Sequence, residues 1–90
     1  MPYIKVDDRA KFKEAIEEIF ALDLSTPGEM NYLITCICQI YQANQGESYA
    51  THNEIVGVLE CVKQEWYRKQ TVPYEEKKIV ENGDVSIVEE

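Results

Sequence analysis

"TPGEMNYLITCICQIY", residues 26–41, decides the fold. Thr26 followed three residues later by Glu29 is a capping box, in which each side chain satisfies a backbone N–H that the first helical turn leaves unpaired. Pro27 stands at the first helical position, where its fixed φ suits a helix and its missing N–H is no loss. Met30, Leu33, Ile34, Ile37 and Tyr41 then recur at spacings of three and four, the signature of one helix face. "NQG", residues 44–46, supplies the stop, so the spacing predicts a helix over about 27–44.

The same grammar recurs on both sides. Downstream, "THNE", residues 51–54, reads as a second capping box with Thr51 as cap and Glu54 three residues on, and Ala50 and Ile55 form the flanking apolar staple. Ile55, Val58, Leu59, Val62 and Trp66 continue it as an apolar stripe over a helix of about 52–71. Pro73 is expected to end that helix, because the residue before a proline is pushed out of helical geometry. Upstream, Phe12, Ile16, Ile19 and Phe20 mark a helix over about 8–22, with Asp7 and Asp8 as candidate caps. "PYIKV" at the N-terminus reads as a strand, and "KKIVENGDVSIV", residues 77–88, as a hairpin turning at Asn-Gly. A short helix over 74–81 ended by Gly83 is the rival for that tail. The expectation is a mainly α, single domain over 1–90: an up-down-up three-helix bundle with short extended or β-hairpin-like termini and a tail at 73–90.

Composition narrows the function. Seventeen acidic against nine basic residues give a net charge of −8, which repels a phosphate backbone, so direct nucleic-acid binding is not expected. An acidic nucleic-acid mimic that occupies a basic site on a partner is a reading this charge permits. No apolar run is long enough to span a membrane and the N-terminus lacks a secretory h-region, so a cytoplasmic location is expected. Three cysteines, an odd number, read as free thiols. A chain of ninety residues buries roughly 60–65% of its unfolded surface, a modest core that a partner chain would reinforce.

The candidate chemistry is sparse. Cys36 and Cys38 lie about 160° apart around their helix axis and cannot share one metal ion; with Cys61 they read as small buried apolar residues. His52 is the only histidine, and no triad assembles around it. Glu14, Glu17 and Glu18 point away from the Ile16 stripe and read as a solvated face, so neither a metal nor a cofactor is expected. Two polar strips beside the stripes are more informative. Asn31 and Thr35 sit on one helix, and Glu60, Lys63, Tyr67 and Arg68 on the next, the residue types that could hold a small anionic ligand or nucleotide. Gly57, one turn before Cys61 in mid-helix, costs about 1 kcal/mol relative to Ala and marks a face that another backbone could approach. Tyr32 and Tyr74 lie outside or beside the stripes and join Gly57 and Cys61 as candidate interface residues.

Three stretches, "GEMNYLIT" (28–35), "YATHNEIVGVLECVKQEWYRK" (49–69) and "PYEEKKIVENGDV" (73–85), together resemble a family of short, uncharacterised proteins of bacteria, archaea and phages known only as a domain of unknown function. The family's pattern corresponds here to Asn31, Tyr32, Ile34 and Thr35, to Gly57, Leu59, Glu60, Lys63, Glu65, Tyr67 and Arg68, and to residues 82–85. Cys36, Cys38 and Cys61 stand outside it, and the resemblance implies no activity. The expected function is a non-enzymatic, self-associating protein-interaction module, a homodimer by preference, that also binds another protein; the alternative is a site that binds or hydrolyses a small anionic ligand or nucleotide.

Overall fold

The computed structural model describes residues 3–86. It is mainly α, with three helical stretches in the expected order and no strand among the described residues. A 3-10 segment, Val6–Phe12, runs into α1, Lys13–Ala21; α2 spans Pro27–Gln45; α3 spans Tyr49–Trp66 and continues through a π-helical segment, Tyr67–Thr71, into α4, Val72–Asn82. Contacts divide the chain between His52 and Asn53 into two units.

In the first unit, Asp7 and Asp8 are not caps. They lie inside the opening 3-10 turn, whose entry carries no side-chain cap. Acidic side chains there still suit the positive end of the helix. The expected strand at "PYIKV" is absent over its described part: residues 3–5 are irregular and Val6 is already helical, while Pro2 lies outside the described residues. α1 ends with Asp23 in the left-handed region at φ 58°, a conformation a short polar side chain tolerates.

The capping box of α2 forms as the sequence dictates. The Glu29 N–H donates to Thr26 Oγ1 at 3.1 Å, and the Thr26 N–H donates to Glu29 Oε1 at 3.1 Å. The Ser25 N–H donates to the same carboxylate oxygen at 3.1 Å. These bonds, those from Ser25 first and from Thr26 next, hold the Glu29 carboxyl below its ordinary pKa. Gly46 closes the helix at φ 85°, and its N–H donates to the Gln42 carbonyl at 2.8 Å.

The cap of α3 is Ser48, not Thr51. Ser48 Oγ accepts the Thr51 N–H at 3.1 Å and the Ser48 carbonyl accepts the His52 N–H at 3.1 Å, so the helix opens three residues early. Thr51 sits inside the first turn, and its hydroxyl donates to the Gly46 carbonyl at 2.8 Å. "SYAT" and "THNE" each begin with a capping residue, and the first to act adds nearly a turn of helix.

In the second unit, Pro73 does not end the helix. Thr71 and Val72 both keep right-handed helical angles. The hairpin reading of the tail gives way to its rival: α4 runs to Asn82 and Gly83, at φ 88°, closes it by donating to the Ile79 carbonyl at 2.8 Å. The last part of the expected second arm, residues 87 and 88, lies outside the described residues.

The stripes that the sequence writes for a core are open. Among the described residues no apolar side chain is buried, and the single buried residue is Thr51. Phe20 of α1 and Trp66 of α3 are 88% and 64% exposed. The cysteines differ from expectation for the same reason: Cys36 and Cys38 are half-buried and Cys61 is exposed. Helices of this length take most of their stability from packing an apolar face, and these faces are unpacked among the described residues.

Candidate functional site

The π-helical turn is the most distinctive local feature, and Pro73 explains it. A proline inside a helix has no N–H for the carbonyl four residues back, here Lys69, and its ring collides with that carbonyl. The backbone widens instead. The Val72 N–H bonds to the Tyr67 carbonyl five residues back, the π pattern. One residue is thereby inserted into the helical count, and every side chain after it is re-aimed by about 100°.

Tyr67 and Glu75 register the consequence. Eight residues apart, they would stand about 80° apart on a regular helix; with one residue discounted they fall within about 20°. The Tyr67 hydroxyl donates to the Glu75 carboxylate, and this bond, reinforced by the carboxylate's charge, raises the Tyr67 pKa above its ordinary value. A shallow groove of about 550 Å³ lies on the same face, lined by Lys63, Gln64, Tyr67, Arg68 and Val72.

Three of the six expected ligand residues, Lys63, Tyr67 and Arg68, therefore line one groove. Their charges are already engaged. Lys63 Nζ is 3.3 Å from Glu60 Oε1, which also accepts from Gln64 Nε2 at 3.2 Å. The Gln64 bond and then Lys63 hold the Glu60 carboxyl below its ordinary pKa. Arg68 Nη2 and Lys69 Nζ each lie 2.8 Å from the Glu65 carboxylate. Exposed pairs of this kind contribute less than about 1 kcal/mol each. Glu60 is thus brought beside Lys63 as a counter-charge.

Asn31 and Thr35, the other two expected ligand residues, are on α2. The Thr35 hydroxyl donates to the Asn31 carbonyl at 2.8 Å, a local bond back along the helix. His52 Nε2 lies 3.1 Å from Glu47 Oε2, a surface contact at the start of α3. Among the described residues no group of three or more His, Cys, Asp and Glu side chains gathers where a metal ion could sit.

The four candidate interface positions are all open. Tyr32 is 73% exposed, and Cys61 and Tyr74 are exposed. A Cβ added at Gly57 would meet no heavy atom within 4 Å. Lys78 Nζ stands over the Tyr74 ring at 5.5 Å from its centre. Sequence reasoning missed Gln64 and Val72 in the groove and Glu75 beside Tyr67. The signal was Pro73, read as a terminator when a flanking helical pattern on both sides makes it a widened turn.

The fold defines a small, mainly helical protein whose apolar stripes are unburied among the described residues. The chain belongs to the family described as Domain of unknown function (DUF6899), which matches residues 1–85. Comparison with curated proteins and with solved structures finds no match. Among the described residues no helix is long and apolar enough to cross a membrane.

Proposed function

We propose that the protein is a self-associating helical interaction module whose apolar stripes are completed by a second copy. One observation carries this reading: a sequence that is 44% apolar, with three well-formed stripes, leaves every apolar side chain among the described residues unburied. Fully burying one Val, Leu, Ile or Phe side chain stabilises by about 1.5–3 kcal/mol, so four or five residues of one stripe can hold a dimer against the entropy of association. The openness around Gly57 and the exposure of Cys61, Tyr32 and Tyr74 support contact surfaces on more than one face. Light scattering on the purified chain across a hundredfold concentration range tests it. A mass above one chain that falls on dilution is expected; a single-chain mass throughout would overturn it.

The groove at Lys63, Tyr67 and Arg68 favours a second reading, a site for a small anionic ligand. Such a ligand must displace Glu60 and Glu65 from their cations. Thermal-shift measurements with nucleotides, with and without magnesium, test this: stabilisation lost in Arg68→Ala supports it, and no stabilisation overturns it.

A further inference from the structure

We infer that the second copy docks on α2, the two copies meeting along the stripe centred on Ile37. This deepens the self-association reading and rests on it. From Met30 to Gln45, sixteen residues and about 24 Å of helix, α2 carries no Asp, Glu, Lys, Arg or His. In a chain with 29% charged residues, a stretch of that length would hold about four or five. A helix that keeps one face in water normally carries charge there. The apolar arc of α2 is also wide. Met30, Leu33, Ile34, Ile37 and Ile40 spread over about 120° around the axis, and Cys36 and Cys38 extend the arc to about 200°. Asn44 and Gln45 interrupt it in the last turn alone. Met30, Ile37 and Ile40 are each more than half exposed.

Charge chooses the occupant. The net charge is −8, so two copies repel wherever their carboxylates come close. α1, α3 and α4 carry three glutamates each. α2 carries one, Glu29, in its first turn and held in the capping box. It is therefore the helix on which two copies meet with least repulsion. The polar side chains of α2 fit a copy as well. Asn31, Thr35, Gln39 and Gln42 hold an arc of about 80°, and each amide or hydroxyl can both donate and accept a hydrogen bond. A contact between identical surfaces must be self-complementary, a condition that amides and apolar groups meet and a lone carboxylate does not. A basic partner would instead be drawn to the glutamates of the other helices.

The test uses the full chain, with the dimer dissociation constant read by sedimentation equilibrium. Ile37→Lys sets an unpaired charge on the seam of both copies and should weaken dimerisation by about tenfold or more. Val80→Lys makes the same change in net charge on α4, at a side chain that is 86% exposed, and should leave the constant within about threefold of the parent. An Ile37→Lys chain that pairs as tightly as the parent overturns the inference while the module reading stands, and so does an equal loss in the two variants. Hydroxyl-radical footprinting of the unmodified chain, above and below the dissociation constant, needs no substitution. Met30 on α2 and Trp66 on α3 are both exposed in the single chain. On assembly Met30 should lose several-fold more reactivity than Trp66; an equal loss at both, or a larger loss at Trp66, overturns the inference. Far-ultraviolet circular dichroism separates lost pairing from lost helix, and where Ile37→Lys loses helix the footprint decides. A parent chain that is monomeric throughout overturns both readings.

Discussion

Replacing Pro73 by alanine should straighten the helix. The substitution returns an N–H to position 73 and removes the ring that collides with the Lys69 carbonyl. A regular hydrogen bond from that N–H is worth about 1 kcal/mol net, while the full Pro-to-Ala difference in a helix interior is about 3 kcal/mol. Because the π turn has already relieved part of the collision, a gain of about 1–2 kcal/mol is expected, or roughly 4–16 °C in melting temperature for a domain of this size. The geometry changes with it. Without the inserted residue, Tyr67 and Glu75 separate from about 20° to about 80° around the axis, and their hydrogen bond is lost. The assay is the ultraviolet titration of the phenols, with the Tyr67→Phe variant subtracted to isolate Tyr67. In the parent the Tyr67 pKa lies above the ordinary phenol value; in Pro73→Ala it should fall back to it. A raised Tyr67 that survives the substitution would refute the claim that Pro73 makes the turn, and so would an unchanged backbone chemical-shift pattern over 67–72.

Glu29 gives a pH dependence with a defined sign. Its folded pKa is depressed, so its contribution is present above the unfolded carboxylate range and is lost as pH falls through the folded value; helix content followed to low pH should drop earlier in Thr26→Ala than in the parent. Tyr67 acts at the other end: its raised pKa adds stability that is complete below the ordinary phenol range and is lost as pH rises through the folded value, a loss that Glu75→Gln should abolish. Ser48→Ala should destabilise by about 1 kcal/mol in thermal melts, the value of a helix cap, whereas an unchanged melting temperature would return the capping role to Thr51. Gly57→Ala should stabilise the helix by up to about 1 kcal/mol, since the added methyl meets no neighbour, and Gly57→Leu should weaken assembly if a partner approaches there; sedimentation of both separates the effects.

Local structure was legible where one chemical signal had no competitor. Thr26, Pro27 and Glu29 admit one arrangement, and Gly46 one stop, so α2 matches its reading within a residue. The start of α3 was ambiguous because Ser48 and Thr51 are both good caps three residues apart, and a periodic stripe beginning at Ile55 does not choose between them. Pro73 was misread because a terminator and a π-inducing insertion look alike until the residues after it are seen to stay helical. The groove followed from that turn, so Lys63, Tyr67 and Arg68 were found while Val72 and Glu75 were not. The stripes were read as core faces, whereas the structure leaves them unburied among the described residues. Their exposure was not legible, because periodicity reports that a face is apolar and carries no information on whether anything packs against it.

That question is settled most directly by sedimentation equilibrium of the unmodified chain over a hundredfold concentration range. A mass approaching two chains at high concentration, falling toward one on dilution together with a loss of helical signal, is the expected result. A mass of one chain at every concentration, with an undiminished cooperative melt, would contradict the claim that a second copy completes these helices.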